Sequence, residues 1–234
     1  HVSETEAQVE LAKNDYGKTP VQVCKDAGLM DMPSIFAHCR APQEEDFDLM
    51  AEAGTGVGQA PKTYLKHAGT IAPIDRYIEK GIPIGLASDG AVSNNTMDII
   101  EQMGLLGMQA KLRMKDATYL PVEQLLDIAF RSSAKVVRQE DQIGELKEGM
   151  KADIALLRQD GVHMTPRTNV LSTIPYNARG SDVDTVLCNG EVLMRKRELL
   201  TLDKEKIRAE VQNRLERLSR RSPDARLAFY PVSD

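Results

Sequence analysis

Four side chains in this sequence have the chemistry to act together on one substrate. His1 and Glu4 stand three residues apart in His1-Val-Ser-Glu4. His38 closes the apolar run Ile35-Phe-Ala-His38, and Asp89 closes Gly81-Ile-Pro-Ile-Gly-Leu-Ala-Ser-Asp89. A neutral imidazole is a ready ligand for Zn²⁺ or Fe²⁺. A carboxylate just beyond it is placed to carry protons to a substrate held there. Each residue also has an ordinary explanation. An HxxE spacing alone is a weak signal, and a histidine after a buried strand is usually a satisfied structural residue. Asp89 alone reads equally well as the cap of a helix starting near Ser93. What raises the set above those explanations is shared position: each lies at the end of an apolar run or at its continuation.

Such side chains converge only if the runs that carry them are neighbouring parallel strands. The intervening segments have the right character. Residues 6–16 place Ala7, Val9, Leu11 and Ala12 on one helical face. Thr19 and Pro20 open a helix that Gly28 ends. A further helix starts after Pro42 with Phe47, Leu49 and Met50 inward, and Gly54 stops it. Thr55–Gln59 reads as a short strand, 62–73 as a loop over the sheet end, and 74–80 as a helix closed by Gly81. Strands separated by helices at spacings of roughly 20 to 30 residues predict right-handed βα units and a parallel sheet. Its carboxyl-terminal rim is where ligands and catalytic groups collect.

Beyond Asp89 the spacing predicts a long helix over 96–115, with Met97, Ile100, Met103, Leu106, Met108 and Leu112 as core. Helices over 121–130 and 132–137 follow. The character then changes to β: a turn and strand over 143–157, and a hairpin over 183–194 turning at Asn189-Gly190. Residues 204–221 form a charged helix with Ile207, Val211, Leu215 and Leu218 on one stripe. The expected organisation is an α/β part built on the parallel sheet over 1–142, a portion of a small β-sandwich over 143–200, and a helix with tail over 201–234.

Composition narrows the function classes. The 234 residues carry a formal charge of −5, which argues against nucleic acid as a main partner. Aromatic residues are 4% with no Trp, too few for stacking platforms on single strands. No apolar run approaches the roughly 20 residues of a membrane span. Cys24, Cys39 and Cys188 are odd in number and scattered, which fits a reducing cytoplasm better than a disulfide framework. The chain opens at His1, which reads as the last residue of a strand whose body lies outside this sequence. The expectation is therefore a piece of a longer polypeptide, with an exposed strand edge and poor solubility and metal binding on its own.

With these motifs in order, the chain resembles the C-terminal half of the amidohydrolase superfamily, in the branch of 5-methylthioadenosine/S-adenosylhomocysteine deaminases and s-triazine hydrolases. The residues that carry the likeness are His1-Val-Ser-Glu4-Thr5, Ala37-His38-Cys39, Gly54-Thr-Gly-Val57, Ile71-Ala-Pro73, Ser88-Asp89-Gly90 with Ser93-Asn94-Asn95, and Lys115-Asp-Ala-Thr118. Ile143-Gly-Glu-Leu, Gly149-Met-Lys-Ala-Asp153 and His163-Met-Thr-Pro166 extend it. The resemblance implies a distorted (β/α)₈ barrel with a composite β-sandwich. It makes His1 and Asp89 metal ligands, and Glu4, His38 and Asp89 the proton-handling catalytic residues. It implies zinc, with iron as the alternative, and attack by hydroxide on an amidine-like carbon of a heterocyclic small molecule with loss of ammonia. A homo-oligomer is implied too, and no membrane partner. His163 resembles a family position but reads as structural, and His67 as an exposed loop residue.

The sequence departs from the family in three places. No His-x-His pair occurs in it, and His1 with Asp89 cannot alone close a four- or five-coordinate site. Gln59-Ala-Pro61 stands where His-Asn-Pro is usual, and Leu86-Ala-Ser-Asp89-Gly90 where Leu-Gly-Thr-Asp-Gly is usual. The leading expectation is a hydrolytic deaminase of an aminopurine nucleoside. The alternatives are an s-triazine or other heterocycle amido- or chlorohydrolase, and a non-catalytic fragment of such an enzyme.

Overall fold

In a computed structural model, which describes residues 1–221, three short strands form a parallel sheet. They are β1 (Ile35–Ala37), β2 (Gly56–Gln59) and β3 (Ile84–Leu86), hydrogen-bonded in that order with Phe36 opposite Val57 and Val57 opposite Ile84. The start of the chain joins them. Val2 makes a parallel bridge to His38, and Ala41 N–H donates to the Ser3 carbonyl at 2.9 Å. Four segments thus end at one rim, and those ends are where His1–Glu4, His38 and Asp89 lie.

The helices that fill the connections start where local chemistry says they should. α1 spans Glu6–Tyr16 behind the Thr5 cap, and α2 spans Pro20–Asp26. The Thr19 hydroxyl accepts from Gln22 N–H while the Gln22 side chain accepts from Thr19 N–H, which satisfies two orphan donors at once. The same hydroxyl donates to the buried Asp46 carboxylate at 2.5 Å, tying α2 to α3 (Glu44–Glu52). α5 (Ile74–Glu79) buries Tyr77, whose hydroxyl donates to the Cys39 carbonyl just past His38. The core beneath the rim is made by Phe36, Met50, Val57, Tyr64, Tyr77, Ile84, Leu106 and Leu125.

Two expectations about this region are corrected. The stretch 62–73 is not all loop: α4 (Pro61–Lys66) sits at its start with Pro61 in the first turn, burying Thr63 and Tyr64. A helix of 6 residues is too short to show a period, so its apolar residues look irregular in sequence. The long helix is also shorter and less buried than expected. A four-residue helix α6 (Ala91–Asn94) follows Asp89, and α7 runs over Ile99–Met114 with Asp98 as its cap. Ile100, Met103 and Leu106 are core, whereas Met97, Met108 and Leu112 are exposed. The buried face of α7 instead includes Gly104 and Gly107. A Cβ at Gly104 would lie 2.3 Å from the Pro175 carbonyl oxygen, so α10 (Val170–Tyr176) packs on α7 through a missing side chain.

After α8 (Val122–Asp127) a π-helical turn over Ile128–Ser132 leads into α9 (Ser133–Val136). It sets two hydroxyls against the outer side of β3: Ile84 N–H donates to Ser132 Oγ at 3.0 Å and Leu86 N–H to Ser133 Oγ at 2.9 Å. Among the described residues that edge is therefore capped by side chains rather than left bare. At the edge of β1 the Val2–His38 bridge pairs with the strand's end, and Ile35 is half exposed.

The second sheet is antiparallel, in the order β4 (Ile154–Leu157), β5 (Val183–Cys188), β6 (Glu191–Arg195) and β7 (Glu198–Leu199). Asn189 and Gly190 both take positive φ, 49° and 82°, as a two-residue hairpin turn requires. The described residues supply this one layer. α11 (Lys204–Arg221) follows, with Ile207, Val211 and Leu218 exposed, and residues 222–234 of the expected tail lie outside the described residues. Among the described residues no helix is long and apolar enough to cross a membrane.

Candidate active site

The chain start, β1 and β3 each turn sharply at the rim. Ser3, His38, Cys39 and Asp89 all have left-handed backbones, with φ of 47°, 68°, 43° and 63°. Non-glycine residues rarely adopt that region, and where they do the surroundings over-determine it. At His38 the enforcement is visible. Its carbonyl accepts from the buried Gln59 side chain at 2.7 Å, and its N–H donates to the Gly58 carbonyl at 2.9 Å.

The turns bring three of the four chemically active side chains together. Ligand atoms of His1, Glu4 and His38 all lie within 4.8 Å of one another. The two imidazoles meet edge to face at 4.5 Å between ring centres, and His1 Nδ1 is 3.5 Å from a Glu4 carboxylate oxygen. His38 is 4% exposed, and its Nδ1 is buried without a hydrogen-bond partner. Asp89 stands outside this trio. One of its oxygens accepts from Gly90 N–H and the other from Ser93 Oγ, both at 2.7 Å. It remains near enough for His38 to feel its charge.

The electrostatics follow from burial. Desolvation pulls the His38 imidazole below its ordinary value, against the opposing pull of Glu4 and Asp89, and Arg40 adds to the lowering. Desolvation pushes the Asp89 carboxyl up, but the Ser93 and Gly90 hydrogen bonds, with the smaller pulls of Thr63 and His38, together outweigh it and leave it below the usual range. His38 is thus neutral and Asp89 ionised near neutrality, the states a metal ligand or a proton acceptor needs. A histidine held neutral contributes stability above its unfolded value of about 6.5, and that stability is lost as pH falls through it toward the folded value. We expect the unfolding free energy of the metal-free protein to decline on acidification below that point. A His38→Gln variant should lack that component in urea titrations across the same pH range.

Among the described residues, five of the seven buried side-chain polar atoms that lack partners surround this rim: Ser3 Oγ, His38 Nδ1, Arg40 Nε, Gln59 Oε1 and Thr63 Oγ1. Buried polar atoms are nearly always satisfied, so such a cluster marks a place where a ligand, ion or water belongs. Two imidazoles and a carboxylate are nitrogen and oxygen donors of the kind that hold zinc. The residues present therefore fit a divalent cation.

Sequence reasoning missed two contributors, Arg40 and Tyr64. The Tyr64 ring packs 5.7 Å from His38 and lies under the Arg40 guanidinium at 4.7 Å. Arg40, 5% exposed, is 3.7 Å from Glu4. A long cation immediately after a strand-end His-Cys pair was the available signal. His67 closes α4 and is exposed. His163 pairs with Asp182 at 2.9 Å far along the chain, as a structural residue would.

A parallel α/β sheet with nitrogen and oxygen donors gathered at its carboxyl rim is a widespread arrangement, and comparison with known proteins makes it specific. Residues 1–193 match the model of the amidohydrolase family, and the chain belongs to that family. It is 40% identical over 214 residues to a 5-methylthioadenosine/S-adenosylhomocysteine deaminase of Dictyoglomus turgidum, covering 92% of this chain and 50% of the relative. A deaminase of the same description from Caldanaerobacter subterraneus is 37% identical over 220 residues, covering 94% and 51%. Among solved structures, a zinc-bound adenosine deaminase from Xanthomonas campestris superposes with a TM-score of 0.88 at 27% identity, covering 93% of this chain and 49% of its own. A zinc complex of atrazine chlorohydrolase from Arthrobacter aurescens gives 0.79 at 26% identity, covering 89% and 46%. The chain spans about half the length of the relatives it matches.

Proposed function

We propose that these residues form the C-terminal half of a distorted (β/α)₈ barrel, with part of a composite β-sandwich, in a metal-dependent hydrolytic deaminase. The substrate class is an aminopurine nucleoside of the methylthioadenosine or adenosylhomocysteine kind, or a related amino-heterocycle. The observation that carries this is the meeting of His1, Glu4 and His38 within 4.8 Å on a rim shared with Asp89. Relatives 37% and 40% identical that are named as such deaminases support it.

His1 and Asp89 would hold the divalent ion, zinc before iron, as the zinc-bound neighbours suggest. Bound there, such an ion lowers the pKa of water to about 7 and so supplies a nucleophile at neutral pH. Asp89, ionised, accepts the proton that the attacking water gives up. Glu4, opposite Arg40 and His1, gives a proton to the ring nitrogen next to the carbon under attack and regains one from the new C–OH as that bond becomes C=O, so that both protons of the water are used. The ring can then hold the electron pair displaced from its C=N bond. His38 or Asp89 delivers a proton to the exocyclic amine as its C–N bond breaks, and ammonia leaves. The backbone turns at His38 and Asp89 matter because they aim both side chains into the rim without a flexible linker.

The test is substrate turnover in the full polypeptide. Ammonia release from 5-methylthioadenosine or S-adenosylhomocysteine is the expected result. Chloride release from a chlorotriazine with no ammonia from either nucleoside would favour the second reading, which the likeness to atrazine chlorohydrolase supports. A zinc-loaded protein inert toward all of them would overturn both.

A further inference from the structure

The deaminase reading leaves Arg40 without a task, although it is the charged group most deeply enclosed at the rim. Its side chain is 4% exposed, and four contacts converge on it. One guanidinium nitrogen lies 3.7 Å from a Glu4 oxygen, another donates to the Thr70 carbonyl at 3.3 Å, and the plane covers the Tyr64 ring. The fourth is a vacancy built into the sequence. Gly69 faces the guanidinium so closely that a Cβ there would fall 1.8 Å from Nη1, and the next nearest atoms are also those of Arg40. Gly69 has an ordinary backbone with no positive φ, so its lack of a side chain answers to Arg40 rather than to a turn. Nε is buried with no partner.

Burying a guanidinium next to a carboxylate costs desolvation that a purely structural role would recover more easily with an apolar side chain. Here one charge touches two parts of the chain far apart in sequence: the segment after α4, at Gly69 and Thr70, and the carboxylate of Glu4. We infer that Arg40 is a positioning residue that latches the 67–72 segment to Glu4 and fixes the direction of that carboxylate. This rests on the deaminase reading for its effect on rate, but the latch itself is a property of the fold.

The two halves are separable in a double-substitution cycle. Arg40→Met keeps a long side chain over Tyr64 but removes the charge. Gly69→Ala keeps Arg40 but displaces its guanidinium. In the full polypeptide we expect each to lower kcat by about 10- to 100-fold, the scale of a misplaced catalytic group. KM should stay within about threefold of the unsubstituted value, because no substrate-binding contact is removed. The double variant should be no worse than Arg40→Met alone, since the new methyl then has nothing to strike. Arg40→Lys should recover much of the rate. Additive losses, or a kcat unchanged per folded molecule in Arg40→Met, would overturn the inference. Hydrogen exchange of the 67–72 amides gives a readout that needs no turnover. Faster exchange in Arg40→Met and Gly69→Ala, but not in Arg40→Lys, is expected, and identical exchange in all would overturn the latch. A wrong substrate reading would show differently, as silent assays with the exchange pattern intact.

Discussion

Replacing Glu4 with Gln should lower kcat for ammonia release by about 10²–10⁴-fold, the range of a lost general acid–base group. The substitution is nearly isosteric. Gln keeps a carbonyl oxygen to face the Arg40 guanidinium, now 3.7 Å from the carboxylate, and the Glu4 N–H bond to the Gln8 side chain is untouched. What disappears is the ability to carry a proton between water and the ring nitrogen. Zinc content should therefore stay at the unsubstituted level while turnover falls. Rates measured at saturating substrate, with metal quantified on the same sample, check both halves. A kcat within a fewfold of the original would mean that Glu4 is a spectator.

Asp89→Asn should cost as much, by about 10²–10⁴-fold in kcat, and here zinc affinity should fall too. Asn is the informative replacement because it leaves the turn alone. It tolerates the left-handed backbone, and its carbonyl can still accept from Gly90 N–H or Ser93 Oγ. A neutral amide neither takes a proton from water nor offsets a cation's charge. The loss is thus chargeable to the missing carboxylate and not to a disordered strand end. Circular dichroism and the unfolding midpoint should be little changed, and full activity in this variant would remove Asp89 from the site.

The parts of this arrangement legible in sequence are those fixed by short-range rules. Thr19-Pro20 before an apolar turn announced a capped helix, Asn189-Gly190 a hairpin, and apolar runs ending in His38 and Asp89 announced strands delivering side chains to one rim. The convergence of His1 with His38 was legible only because each seemed to end a strand; the Val2–His38 bridge is the contact that makes them neighbours. What stayed hidden depends on tertiary packing. The six residues of α4 carry too little pattern to be told from a loop. Met97 precedes α7, and Met108 and Leu112 on it are exposed, because the face that packs combines Ile100, Met103 and Leu106 with Gly104 and Gly107, and a glycine adds nothing to a hydrophobic period. Asp89 reads in sequence as a metal ligand together with His1; hidden from the sequence is that its carboxylate also accepts hydrogen bonds from its own turn, outside the His1–Glu4–His38 trio. Arg40 is the strongest case: its meaning depends on Glu4, 36 residues before it, and Gly69, 29 residues after it.

One cation is held to sit where these strand ends meet, polarising water beside groups that trade its protons. An anomalous difference map at the zinc edge, from crystals of the complete polypeptide grown with zinc, addresses this directly. The expected result is a single strong peak within bonding distance of a His1 nitrogen and an Asp89 oxygen, with His38 and Glu4 lining the same space. A peak bound elsewhere, or a rim whose imidazoles stay unligated in zinc-saturated crystals, would contradict it.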